Sequence, residues 1–146
     1  MYQRLSETAK DVLKIAESLA KRNRQEYIDT EHVLLAILEH DECIAARVLK
    51  DAQISLDDVK KQLESLNGND KEEAFVLGPL RGTPHFEQAF LNAIEAAEAH
   101  RANSIGTEHL LIGLLRQTDC PAQQALAALG FTLDAALKKI QPQNTA

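Results

Sequence analysis

The stretch Ile28-Asp29-Thr30-Glu31-His32-Val33-Leu34-Leu35-Ala36-Ile37-Leu38 returns as Ile105-Gly106-Thr107-Glu108-His109-Leu110-Leu111-Ile112-Gly113-Leu114-Leu115. The offset, 107 − 30, is 77 residues, and it holds far outside this window without a gap. Ala16 matches Ala93, Ala20 matches Ala97, Cys43 matches Cys120, Ala45 matches Ala122, Leu49 matches Leu126, Leu56 matches Leu133 and Asp57 matches Asp134. A chain made of two copies of one pattern carries two equivalent apolar surfaces, and each must find cover. Two copies are fewer than the three or more that a stacked solenoid generally needs, so the halves are expected to pack face to face about a pseudo-twofold axis.

Within each copy the apolar spacing is helical. From Ser6 to Arg22, Ala9, Val12, Leu13, Ala16, Leu19 and Ala20 recur at three- and four-residue intervals, with Ser6 as a natural N-cap. Asn23 to Glu26 ends that helix. Thr30 reads as the N-cap of a short, apolar second helix reaching about Glu39, with Asp29 and Glu31 suiting its positive end. A third helix carries Ile44, Ala45, Val48 and Leu49, and Ser55 opens a fourth through Val59, Leu63 and Leu66, stopped by Asn67-Gly68-Asn69-Asp70. The second copy repeats the order. Thr83-Pro84 starts a helix bearing Phe86, Phe90, Ala93, Ile94 and Ala97, and Thr107 reads as the cap of the next. Pro121 begins the seventh, which Gly130 ends, and Thr132 caps an eighth through Ile140. The fold class is therefore all-α: eight helices as two tandem four-helix repeats, repeat one over about 5–66, a connector over about 67–82 and repeat two over about 83–141, in one domain spanning 1–146. Val33 to Leu38 and Leu110 to Leu115 are too densely apolar for a single buried stripe and are expected to form the shared core. The apolar connector segment Ala74-Phe75-Val76-Leu77 is expected to pack rather than hang free.

Composition narrows the function. A chain of 146 residues with 45% hydrophobic residues can bury a real core, and 4% aromatics with few Gly and Pro favour helices. The formal charge is −6, with 11 Lys/Arg against 16 Asp/Glu through Glu73 and 5 against 6 beyond it. An acidic surface repels phosphate backbones, so no nucleic-acid partner is expected. No run approaches the roughly 18 apolar residues of a membrane span, and the first residues lack a signal-peptide core; no membrane partner and a cytoplasmic location are expected. Cys43 and Cys120 are too few for a disulfide framework and read as reduced thiols packed where helices begin.

Taken together, Leu5-Ser6-Glu7-Thr8-Ala9, the Thr83-Pro84 start, the two Thr-Glu-His cores and Cys43-Ile44-Ala45-Ala46-Arg47-Val48-Leu49 resemble the N-terminal domain of the Clp-type AAA+ unfoldases, nearest the ClpC and ClpA branch. The likeness covers about residues 5–141. It implies a compact eight-helix domain that recognises substrates and adaptors for ATP-dependent protein unfolding and degradation. Its implied partners are adaptor proteins, protein substrates and an AAA+ ATPase module in cis or in trans. A free-standing regulator of the same fold, docking on the protease or unfoldase in trans, is the alternative. The chain departs from the family in places: a glycine usual near the end of the first helix is Arg24 here and Arg101 in the second copy, and the Gly before Thr is Asp29 in the first copy only.

No G-x-x-x-x-G-K-[ST] phosphate loop is present, so the chain hydrolyses no ATP by that route. No acid, base and nucleophile converge, and no catalytic residue or cofactor is assigned. Glu31-His32 and Glu108-His109 are adjacent pairs rather than the i, i+4 spacing of a zincin helix, so no metal site is assigned either. Thr30, Glu31, Thr107 and Glu108 remain as candidate ligand-binding residues. A carboxylate pairs a guanidinium in bidentate fashion and helix N–H groups accept phosphate, and by resemblance to the ClpC branch this is a docking site for phosphorylated arginine or another basic group. Asp29 adds a negative charge beside the first copy alone.

Overall fold

The computed structural model describes residues 2–66, 73 and 75–140. The stop expected at Asn67-Gly68-Asn69-Asp70, the connector residues Lys71 and Ala74, and the end of repeat two at Gln141 lie outside the described residues. Eight α-helices are present among the described residues, four to each repeat. α1 is Glu7–Arg22, α2 Thr30–Glu39, α3 Ile44–Asp51 and α4 Leu56–Glu64; α5 is Pro84–Ala99, α6 Thr107–Leu115, α7 Pro121–Ala128 and α8 Leu133–Lys139. A single 3-10 turn, Tyr2–Arg4, precedes them. Several starts follow the sequence directly: the hydroxyls of Ser6, Ser55, Thr83 and Thr132 accept from the backbone N–H three residues on. α4 stops at Glu64, two residues short of the expected Leu66.

The connector contains structure of its own. β1 (Phe75–Leu77) and β2 (Leu80–Gly82) form an antiparallel hairpin across Gly78-Pro79, with Gly78 at φ 59°. Alternation along β1 buries Leu77 and leaves Val76 exposed, while the Phe75 ring lies 6.0 Å from that of Phe86 and 5.8 Å from that of Phe90. The apolar segment thus closes the end of α5.

The two repeats hold each other through backbone as well as side chains. Leu5, just before α1, bridges Ile105, just before α6; Gly82, just before α5, bridges Ile28, just before α2. Ser6 N–H donates to Ile105 O and Thr83 N–H to Ile28 O, both at 2.9 Å. These bridges map onto each other under the 77-residue offset, which is the pseudo-twofold relation in hydrogen bonds.

The core, however, is not shared equally. Every residue of Leu110–Leu115 is buried, whereas Leu35 and Leu38 in the first copy are only partly so. α6 packs on α1, α2, α3, α5, α7 and α8, and α2 on α1, α3, α4, α5, α6 and α7. Gly113 permits its close approach to α5: a Cβ added there would collide with the carbonyl oxygen of Ala89, and Asn92 Nδ2 donates to Gly113 O at 3.2 Å across the same contact. The first copy has Ala36 at this position, also fully buried. Gly113→Ala is therefore expected to force the α5–α6 contact apart and to destabilise the fold by about 1–3 kcal/mol despite its higher helix propensity, as measured by urea unfolding.

Candidate functional site

Both Thr-Glu-His segments start a helix, but their threonines do not cap it. Asp29 is the N-cap of α2, in extended conformation with its carboxylate accepting from Thr30 N–H at 2.8 Å, and Gly106 is the N-cap of α6. Thr30 and Thr107 are the first helical residues, buried, and their hydroxyls reach across to the other repeat. Thr107 Oγ1 accepts from Ala45 N–H in the first turn of α3 at 3.2 Å, and Thr30 Oγ1 accepts from Ala122 N–H in the first turn of α7 at 3.4 Å. Each threonine caps a helix of the other half. Helix starts leave N–H groups without intrahelical partners, and a buried one must be satisfied by something. The sequence pattern alone favours the local cap because the threonine precedes an apolar run; the tertiary partner wins because the pseudo-twofold axis brings α3 onto the start of α6 and α7 onto the start of α2.

The same two helix starts explain the cysteines. Cys43 and Cys120 are the N-caps of α3 and α7, accepting from Ala46 N–H at 3.4 Å and Gln123 N–H at 3.5 Å. Their thiols lie 3.8 Å from Ile37 O and 3.7 Å from Leu114 O as donors. Burial pushes the Cys120 thiol up from its ordinary value, keeping it protonated and able to donate. These cysteines are polar anchors as well as packing residues.

The histidines act within their own segments. Asp29 N–H and Gly106 N–H each donate to the Nδ1 of the following helix's third residue, His32 and His109, at 2.9 Å. This is the reaching-back half of a capping box, with imidazole in place of Glu or Gln. Both rings are buried, and each Nδ1 is unprotonated and taken up by the backbone N–H it accepts from. His109 also meets the His100 ring edge-on at 5.4 Å, and burial holds its pKa below the ordinary histidine value.

Glu31 and Glu108 are half-buried on the first turns of α2 and α6. Around Glu108 lies a cleft of about 710 Å³, walled by the start of α6, the start of α3 and the Arg101–Ser104 loop. Its lining includes Arg47, Arg101, Glu42, His40, Asn103 and Ile44 beside Thr107 and Glu108. Gly106 makes room for the Glu108 carboxylate, which would collide with a Cβ placed there. The cleft thus sets two guanidinium groups against two carboxylates over an apolar lip, Ile44, that is 45% exposed. Sequence reasoning singled out Glu108 but not Arg47 or Arg101. The signal for Arg101 was present: it stands where the family usually has glycine, and its φ of 55° is the left-handed conformation that glycine favours. Arg24 shares the position and the conformation, with φ 61°. A side chain in that region costs of order 1–3 kcal/mol.

Comparison with known proteins agrees with this architecture. A model of the Clp repeat (R) N-terminal domain matches residues 4–74 and 81–145. A probable ATP-dependent Clp protease ATP-binding subunit from Chlamydia pneumoniae is 36% identical over 129 residues, 88% of this chain but 15% of that protein. The ClpC subunit of Staphylococcus epidermidis is 33% identical over 140 residues, 96% of this chain and 17% of that protein. The chain therefore spans about one sixth of the length of such relatives. The N-terminal domain of ClpD from Arabidopsis thaliana shares the fold, with a TM-score of 0.74, 22% identity and coverage of 95% of this chain and 96% of that one.

Two measurements test the hydrogen bonds described. Thr107→Val keeps the shape but strands the buried Ala45 N–H, so stability should fall by about 1–3 kcal/mol and amide exchange at Ala45 should quicken. The second concerns pH. A histidine whose folded pKa is depressed binds fewer protons folded than unfolded, so its contribution is intact above the unfolded value near 6.5 and declines as pH falls below it. Unfolding midpoints should drop between about pH 7 and 5, and His109→Gln, which retains an acceptor for Gly106 N–H, should show a smaller drop.

Proposed function

Because this chain belongs to the Clp repeat N-terminal domain family, we propose that it is a substrate- and adaptor-recognition module of a Clp-type machine for ATP-dependent protein unfolding and degradation. It binds proteins without catalysis. The observation that carries this reading to a site is the cleft at the start of α6, where Glu108 faces a mixed set of charges beside an exposed apolar residue. Holding a client or adaptor near an ATPase ring raises its effective concentration and needs no chemistry from the module itself. Support at the level of protein binding also comes from a solved structure of the same fold, a complex of the ClpV N-domain with VipB peptide, at a TM-score of 0.72 and 17% identity.

The ligand that fits the candidate residues is a phosphorylated arginine side chain of a client. Its guanidinium group suits the carboxylate of Glu31 or Glu108, and its phosphate suits cations such as Arg101 and Arg47 beside the second copy. Thr30 and Thr107 contribute by holding the helix starts in place, since their hydroxyls are engaged across the repeat interface. Titrating a phosphoarginine-bearing peptide into the 146-residue chain in a calorimeter should give binding heat that a Glu31→Ala/Glu108→Ala variant loses. Absence of heat from the unmodified chain, or equal heat from both, would overturn the assignment of these residues.

A further inference from the structure

The two halves repeat in sequence, and Arg24 stands where Arg101 does, yet other walls around their two glutamates differ in size and charge. We infer that this chain has a single docking site for an anionic guanidinium ligand, the Glu108 cleft, and that the equivalent position at Glu31 has been closed by substitution of its walls. This rests on the docking role proposed above and specifies which copy performs it.

Pairing positions by the 77-residue offset makes the difference concrete. Where the second copy has Gly106, whose missing Cβ leaves room for the Glu108 carboxylate, the first has Asp29. The Asp29 side chain is 3% exposed, and its Oδ1 accepts from both Thr30 N–H and Thr83 Oγ1–H at 2.8 Å. A carboxylate is therefore locked onto the very helix start that would otherwise receive an anion, and its negative charge opposes a phosphate there. Ser6, which lines the open cleft, corresponds to Thr83, which is buried under Asp29.

The flanks follow the same trend. His40 and Thr8 line the open cleft; their counterparts Gln117 and His85 are tied together, Gln117 Nε2 donating to His85 O at 3.0 Å and Gln117 Oε1 meeting His85 Nδ1 at 3.2 Å. Ala102 and Ser104 are replaced by the larger Gln25, whose amide oxygen is buried, and by Tyr27. Charge differs in the same sense. Arg47 in the open cleft corresponds to neutral Gln124, and Asn103 to Glu26. Arg81, which lies over the Tyr27 ring, is already held by Glu73 through bonds of 2.6 and 3.1 Å, and that pairing lowers the Glu73 carboxyl pKa. The Glu108 cleft can take a phosphate and a guanidinium together, whereas the Glu31 position keeps only one of the two arginines, Arg24, beside Glu26, Asp29 and Glu31 and has bulkier walls.

Titration of the unmodified chain with a phosphoarginine peptide should saturate at one peptide per chain. In a nitrogen-15 NMR titration of the same sample, amide shifts should move at Arg101–His109 and Ile44–Arg47 and stay still at Arg24–His32. Glu108→Ala should weaken binding by about tenfold or more, as loss of a charge-assisted contact does. Asp29→Gly, checked for retained helix content, should raise the stoichiometry to two or the affinity at the first copy into the measurable range. Asp29→Asn keeps the cap but removes the charge, so it separates repulsion from filling if the glycine variant folds poorly. Two peptides bound by the unmodified chain, or shifts centred on Thr30–His32, would overturn the single-site inference while leaving the docking role intact. No binding at any copy would remove the docking role, and the single site with it.

Discussion

The structure depends on a trade of hydrogen bonds between its halves. Thr107 in repeat two supplies the acceptor for Ala45 N–H at the start of α3, and Thr30 in repeat one supplies the acceptor for Ala122 N–H at the start of α7. The backbone bridges Leu5–Ile105 and Gly82–Ile28 make the same exchange one layer further out. Because these groups are buried, either repeat alone would leave N–H groups unsatisfied at the start of its third helix and a C=O without its partner just before its second. The physical unit is the pair of repeats rather than the four-helix motif. The apolar burial around α6 then has a fixed frame on which to form.

Within that symmetric frame the two halves have diverged in complementary ways. The second copy is the more completely buried: α6 is buried along its whole apolar length and uses Gly113 to come closer to α5 than a methyl group would allow. The same copy has the open cleft at its helix start, while at the corresponding place in the first copy Asp29 is bonded to Thr83 and Gln117 to His85. Strain is distributed more evenly than access is. Arg24 and Arg101 both sit in left-handed conformations at the ends of α1 and α5, and Gln53 with φ 64° matches Gly130 with φ 85° at the ends of α3 and α7. The backbone has preserved the turn geometry of the repeat even where the residue is not glycine, so the surrounding contacts, rather than local preference, hold these turns.

How much was legible in the sequence varies with the range of the interaction. Ser6, Ser55, Thr83 and Thr132 were readable as caps because acceptor and donor are three residues apart. Thr30 and Thr107 carried the same local signature and do something else, because their partners lie 92 and 62 residues away. The cysteines were placed correctly at helix starts but their capping role was not visible, since sulfur is a weak acceptor and an uncommon cap. Asp29 read as a charge suited to the positive end of α2; it is that helix's buried cap, bonded also to Thr83 54 residues away. Of the candidate site, Glu108 was found by motif, while Arg47 and His40 carry no local mark that joins them to it.

By itself the sequence determined the number and kind of helices, the family and the existence of two related halves, since apolar period, caps and an ungapped 77-residue offset are all properties of the chain read along its length. Only the tertiary structure decided which hydroxyl satisfies which helix, which copy's apolar helix is the more fully buried and which glutamate lines the cleft. The reason is that a twofold relation pairs each residue with the other half, so its environment is set by positions that no local window contains.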